Sequence, residues 1–84
     1  ELLNLAYNSV KKRVADGLIK YFDTYSQEYS KGLQIPREDL ANIAGTSTES
    51  VIRTLSEFKK DGLITADGKT IYIKDEKELR KYKY

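Results

Sequence analysis

A polar face with one aliphatic member lies in the segment TSTESVIRTLSEFKKDG, residues 46–62. If this segment is a helix turning about 100° per residue, one side carries four side chains: Glu49, Ile52, Arg53 and Ser56. The opposite side carries the apolar residues Val51, Leu55 and Phe58. A solvated face has no need of an isoleucine, and a buried face would not hold a glutamate and an arginine. The outward mixture therefore indicates a binding surface.

The outward side chains carry groups that match the edges of DNA bases. Arginine can donate two hydrogen bonds to O6 and N7 of guanine, and glutamate can accept one from the N4 amine of cytosine. An aliphatic side chain can contact the methyl group of thymine. Arg53 is therefore favoured as a base contact over an ordinary solvated residue. For Ile52, a thymine contact and a partly buried edge of the core remain open.

Glu49 has two further explanations besides a base contact. Thr46 and Glu49 have the spacing of a capping box, in which the glutamate closes the start of the helix. Glu49 can also orient Arg53, four residues later on the same face. Because phosphates repel a carboxylate, Glu49 is expected near DNA only if it contacts a cytosine or has such a structural role. The cap and the base contact remain open.

The length and composition exclude several other classes of function. The chain has 84 residues, no cysteine and no histidine, which suits one small domain and excludes disulfides and the usual zinc sites. Without these residues, an enzyme is not expected. The carboxylate clusters at 38–39 and 75–78 are better explained by helix dipoles. We expect no metal or cofactor. The absence of cysteine, a signal peptide and an apolar run of about 20 residues fits a cytoplasmic protein.

Hydrophobic spacing predicts the elements that precede this segment. A helix is predicted over 2–25 from apolar residues four apart: Val10, Val14, Leu18 and Phe22. Residues 26–32 are polar and predict a loop, and 33–35 alternate like a short strand. A second helix over 37–44 is predicted to turn Leu40, Ile43 and Ala44 inward. Gly45 ends it in the position that glycine favours.

The third helix and the elements after it complete a winged helix. The third helix begins at a Thr46 or Ser47 cap and ends at Lys60. Strands over 63–66 and 70–74 flank Asp67-Gly68-Lys69, which predicts a hairpin. A short helix follows Asp75. We therefore predict one mainly α domain over 1–84 with a small antiparallel β-sheet (α+β). It contains a helix-turn-helix at 37–60 and a hairpin wing at 63–74.

The central residues resemble a known family. IPREDLANIAGTSTESVIRTLSEFKKDGLI, residues 35–64, and GKTIYI, residues 68–73, are similar to the C-terminal DNA-binding domain of the Crp/Fnr family of bacterial transcription regulators. The resemblance covers about residues 10–73, and its most specific part is ESV-x-R-x-L after the GTS turn. It implies sequence-specific binding of double-stranded DNA, with the recognition helix 47–60 in the major groove.

The resemblance also implies roles for individual residues. Glu49 and Arg53 would read a G·C-containing core of the half-site, commonly within TGA. Phosphate contacts would fall on Arg37, Ser47, Ser50 and Lys69, with Lys60 on the same basic face. Two positions depart from the family's pattern. Thr48 stands where members that read an extra guanine carry arginine, and Ile52 stands where the oxygen-sensing branch often carries serine. The identity of the outer base of the half-site therefore depends on Thr48 and Ile52.

The family implies further partners and a larger protein. Its cyclic-nucleotide-binding-like β-roll and long dimerisation helix are not found in these residues, and the chain begins at Glu1, so we expect a fragment. The full-length protein would bind a pseudo-palindromic operator as a homodimer, with RNA polymerase as a further candidate partner. The isolated domain is expected to be a monomer.

An alternative is a winged-helix module for protein–protein contact, since a fold does not determine a function. Tyr21, Tyr25 and Tyr29 have a four-residue spacing that can form an aromatic surface stripe. A DNA reader would instead gather basic residues on one face and bind in a salt-dependent manner.

Overall fold

The structure, a computed structural model, describes residues 2–25 and 32–82, with side chains described from residue 9. It consists of α1 (Leu2–Tyr25), α2 (Arg37–Ala44), α3 (Thr48–Lys60), β1 (Ile64–Asp67), β2 (Thr70–Ile73) and α4 (Glu76–Lys81). The mainly α fold with a small antiparallel sheet is confirmed. The predicted loop lies outside the described residues except at Gly32. In the described ranges, every helix is too short or too polar to span a membrane.

The first two helices pack their apolar stripes together, with one departure from prediction. Leu40 and Ala44 of α2 are buried as expected, but Ile43 is 51% exposed, and Ala41 is buried instead. The predicted inward position of Ile43 is therefore wrong. Its side chain lies at the edge of the helix pair, where a Cβ on Gly17 would be 3.2 Å from Ile43 Cγ2. One part of the Ile43 side chain therefore faces α1, and the rest is in solvent.

A tight turn joins α2 to α3. Gly45 ends α2 in the left-handed region, with φ 69° and ψ 40°, and its N–H donates to the carbonyl oxygen of Ala41. The N–H of Thr46 donates to the same oxygen over 3.0 Å. A residue with a Cβ is strained in this conformation, which explains the glycine. The turn sets the direction in which α3 leaves α2.

The two strands form a hairpin one residue tighter than predicted. β1 and β2 are antiparallel, with Ile64 opposite Ile73 and Asp67 opposite Thr70. Asp67 therefore belongs to the strand, and Gly68 and Lys69 alone form the turn. Gly68 has φ 61° and Lys69 has a negative φ, which is the pattern of a type II′ turn with glycine in first place.

The predicted strand at 33–35 is reduced to one bridge. The N–H and carbonyl of Leu33 exchange hydrogen bonds of 2.7 and 2.9 Å with Ile71. The next pair of an antiparallel ladder would join Ile35 to Lys69, but Lys69 lies in the hairpin turn, before β2 begins at Thr70, so the pairing stops. Leu33 and Ile35 are nevertheless buried and bring the start of α2 against the hairpin.

The core lies between the helices and the inner face of the hairpin. Its buried side chains include Leu18 of α1, Phe58 of α3 and Ile71 of β2. The predicted C-terminal helix is confirmed as α4, whose Leu79 is buried. Arg80 of α4 donates to Asp23 of α1 over 2.7 Å. This hydrogen bond, with a second one to Glu76, raises the pKa of the Arg80 guanidinium. The core contacts only one side of α3, where its buried residues lie.

Candidate nucleic-acid interface

The outer side of α3 is an exposed surface of mixed chemistry, which we call the recognition face. The predicted core residues Val51, Leu55 and Phe58 are buried, as is Thr54. The recognition face consists of the exposed residues between 48 and 56: Thr48, Glu49, Ile52, Arg53 and Ser56. Glu49, Arg53 and Ser56 lie opposite the buried side, and Thr48 and Ile52 lie beside it. Ile52 is 52% exposed, so its interpretation as a partly buried edge of the core is wrong. The helix thus presents carboxylate, guanidinium, hydroxyl and aliphatic groups together.

The start of α3 is capped by Ser47, not by Thr46. Ser47 has an extended backbone and its Oγ accepts a hydrogen bond of 3.1 Å from the N–H of Ser50. Ser50 is therefore the third helical residue, the position that a capping-box glutamate would occupy. Glu49 lies one residue earlier and points outward. The capping box of Thr46 with Glu49 is wrong, and this structural explanation of Glu49 is removed.

Two of the predicted phosphate contacts lie at this helix start. The hydroxyls of Ser47 and Ser50 are 3.0 Å apart. The first N–H groups of any α-helix lack partners within the helix and attract anions. Hydroxyl groups beside such N–H groups can donate to a phosphate oxygen. The geometry of residues 47–50 therefore suits a phosphate at the edge of a groove.

The structure brings together two more of the predicted contacts. Arg37 at the start of α2 and Lys69 at the hairpin turn line one cleft, together with Pro36, Glu38 and Gly68. Lys69 is exposed, and Arg37 is half-buried. Lys60 lies instead at the far end of α3, about 20 Å along the helix from Ser47. There it also complements the negative end of the helix dipole.

Arg13 of α1, to which the sequence patterns gave no role, contacts the turn of the helix-turn-helix. Arg13 Nη1 donates to the carbonyl oxygen of Gly45 over 3.3 Å. Nearby, Lys11 Nζ lies 3.4 Å from a carboxylate oxygen of Glu57 on α3. These contacts fix α1 against the turn and the recognition helix. Because the paired residues are far apart in the chain, local sequence patterns carried no signal for them.

The tyrosine stripe lies away from the recognition face. The rings of Tyr21 and Tyr25 are 4.6 Å apart between centroids, and the Tyr21 hydroxyl lies 3.4 Å from the carbonyl oxygen of Gln34. With Ile43 they line a shallow groove between α1 and α2. Tyr29 lies outside the described residues. Over 2–25 and 32–82, no group of three or more acidic side chains is placed to hold a metal ion.

Comparisons with known proteins agree on one family. A sequence profile of the Crp-like helix-turn-helix domain matches residues 12–82. The CRP-like cAMP-activated global transcriptional regulator of Mycobacterium tuberculosis is 28% identical over 82 residues, which are 93% of this chain and 37% of that protein. The cAMP-activated global transcriptional regulator CRP of Salmonella typhimurium is 34% identical over 73 residues, covering 83% of this chain and 35% of that protein.

Solved structures show the same similarity. The catabolite activator protein of Thermus thermophilus superposes with a TM-score of 0.82 at 28% identity, covering 99% of this chain and 38% of that one. A putative regulator of the crp/fnr family from Eubacterium rectale gives 0.74 at 33% identity, covering 87% of this chain and 32% of that one. The chain thus spans about a third of the length of these relatives. These likenesses do not favour the protein-interaction alternative.

Proposed function

The chain belongs to the Crp/Fnr family of transcription regulators as a helix-turn-helix DNA-binding domain, and from this premise we propose that its recognition face reads bases in the major groove. The observation that carries the proposal is the joint exposure of Glu49 and Arg53 on α3, opposite a buried apolar side. An α-helix fits the major groove, where each base pair presents a distinct pattern of donors and acceptors.

Within this proposal, Glu49 and Arg53 divide a G·C-containing core between them. Arg53 donates to O6 and N7 of a guanine, and Glu49 accepts from the N4 amine of a cytosine. The support for Glu49 is that Ser47 already caps α3, so the carboxylate has no capping role. Together the pair discriminates a TGA-type core from other sequences.

A frame of phosphate contacts positions the helix without reading sequence. Ser47 and Ser50 hold one phosphate at the start of α3. Arg37 and Lys69 hold the backbone where α2 meets the wing, and Lys60 adds a charge at the end of α3. The support is their exposure or partial exposure and the cleft that Arg37 shares with Lys69. These residues set the affinity and its dependence on salt.

The remaining parts of the proposal concern the full-length protein. It acts in the cytoplasm as a homodimer on a pseudo-palindromic operator, where two half-sites one helical turn apart match the two-fold symmetry of the dimer. RNA polymerase is a candidate partner at such a promoter. Membership of the family supports these statements. The domain alone binds one half-site, more weakly than the tethered pair.

The proposal is tested by fluorescence anisotropy with this chain and two short duplexes. One duplex carries a pseudo-palindrome with TGA-type cores, and the other carries a scrambled sequence of the same composition. Each titration is run at low and moderate salt. We expect tighter binding to the first duplex and an affinity for both that falls as salt rises.

Arg53→Ala and Lys77→Ala form a matched pair of variants, since each removes one positive charge. Lys77 is exposed on α4, which follows the helix-turn-helix and the wing in the chain. Loss of the preference for the TGA-type duplex in Arg53→Ala, and its retention in Lys77→Ala, would support base reading by α3. Equal binding of wild type to both duplexes would overturn base reading, and no binding at low salt would overturn DNA binding.

A further inference from the structure

Thr48 and Ile52 form an apolar row beside the charged pair on the recognition face. They lie four residues apart on α3, as Glu49 and Arg53 do, so the two rows run side by side along the helix. Thr48 is exposed and Ile52 is 52% exposed. The row consists of the threonine methyl and the isoleucine side chain. It lies between the core side of the helix and the charged row.

Ile52 stands apart from the other exposed apolar side chains of the described residues. The large ones are Tyr25, Ile43 and Ile52. Tyr25 and Ile43 share the groove between α1 and α2, whereas the exposed residues nearest Ile52 along α3 are polar. A protein-docking patch would be contiguous and apolar. Ile52 therefore fits a ligand that offers one small apolar group among polar ones.

We propose that Thr48 and Ile52 read the C5-methyl group of a thymine next to the core contacted by Glu49 and Arg53; this inference rests on the proposed function. Thymine is the only base with a methyl group in the major groove, and apolar side chains pack against it. Cytosine, the other pyrimidine, has no C5-methyl group and offers no such apolar contact. The row thus selects thymine through its methyl group.

Replacing thymine by deoxyuridine tests this assignment because it removes the methyl group and keeps the base pair. The thymines flanking each TGA-type core are replaced one position at a time, on both strands, and the affinity of this chain is measured by anisotropy at low salt. We expect deoxyuridine at one position to weaken binding roughly fourfold per half-site. The same position should show a smaller thymine–deoxyuridine difference with Ile52→Ala, since only the threonine methyl group remains there.

Ile43→Ala is the matched control, since Ile43 is 51% exposed and Ile52 is 52% exposed. It should keep the full sensitivity to deoxyuridine. A penalty reduced in Ile52→Ala and kept in Ile43→Ala would support the methyl contact. A preference for the TGA-type duplex without sensitivity to deoxyuridine at any position would overturn this inference alone. A penalty that is undiminished in Ile52→Ala would also overturn it. Absence of any sequence preference would overturn the proposed function together with it.

Discussion

Arg13 of α1 and Gly45 of the helix-turn-helix are joined by a hydrogen bond from guanidinium to carbonyl, over 3.3 Å. Gly45 ends α2 in the left-handed conformation, so its carbonyl lies at the negative end of that helix, where a cation is favourable. The contact ties the first helix to the turn that directs α3. Arg13 follows Lys11 and Lys12 in the sequence, and this run of basic residues does not reveal that Arg13 supports the turn.

Arg13→Ala is therefore expected to lower the free energy of unfolding by about 0.5 kcal/mol, a modest effect because the side chain is exposed. Lys12→Ala is the control, since Lys12 is the exposed neighbour. Urea denaturation followed by circular dichroism compares the two variants. Equal midpoints would show that the Arg13 contact contributes nothing measurable.

Ser47→Ala should cost about 1 kcal/mol of stability because it removes the side chain that caps α3. Thr46→Ala should cost less than about 0.5 kcal/mol, since only the backbone N–H of Thr46 is used in the turn. Thermal unfolding of both variants provides the comparison. A larger loss from Thr46→Ala would reinstate the capping box that the structure contradicts.

Gly32→Ala should destabilise the domain by about 2 kcal/mol or more, because the new Cβ would overlap the hairpin. That Cβ would lie 2.4 Å from Thr70 Cγ2 and 2.8 Å from Tyr72 Cε1. Gly45→Ala is the comparison. Its Cβ would meet only Arg13 Nη1, at 3.9 Å, and its cost of about 1 kcal/mol would come from the left-handed backbone alone. Chemical denaturation should rank Gly32→Ala as the less stable; the reverse order would contradict the close approach.

Thr54→Val should stabilise the domain by about 1 kcal/mol. The Thr54 hydroxyl is buried in α3 without a hydrogen-bond partner, and a methyl group of similar size removes the cost of burying it. Thr48→Val, at an exposed position of the same helix, should change stability by less than about 0.5 kcal/mol. Differential scanning calorimetry measures both. A lower melting temperature for Thr54→Val would mean that the hydroxyl is satisfied.

Arg37→Ala and Lys69→Ala should each weaken binding to TGA-type and scrambled duplexes by a similar factor. Each should also reduce the slope of log affinity against log salt by about one, because one phosphate contact is lost. Lys77→Ala on α4 should leave the slope unchanged. Because Arg37 and Lys69 line one cleft, their double variant need not be additive. A changed base preference with an unchanged slope would contradict the phosphate assignment.

Local patterns in the sequence were enough to predict most of the elements. α1, α2 and α4 follow from hydrophobic spacing and helix-end residues, and the bounds of α2 are those predicted. The burial of Val51, Leu55 and Phe58 also followed from spacing, because a helix buries whatever lies on its apolar stripe. The outward side of α3, and with it the candidate site, was therefore predictable as a set of residues.

Other features depended on contacts between distant parts of the chain. The cap of α3 is a local exception: both Thr46 and Ser47 can cap a helix, and the conformation of the turn after Gly45 selects Ser47. The exposure of Ile43 depends on its contact with Gly17 of α1. The spacing of apolar residues within α2 carries no information about that contact.

The sequence by itself determined which residues face outward on α3 and the family to which they are similar. Only the tertiary structure decided that Arg37 and Lys69 line one cleft and that Arg13 contacts Gly45. The physical reason is that helix periodicity and capping act over a few residues. The position of one element against another results instead from the packing of the whole core.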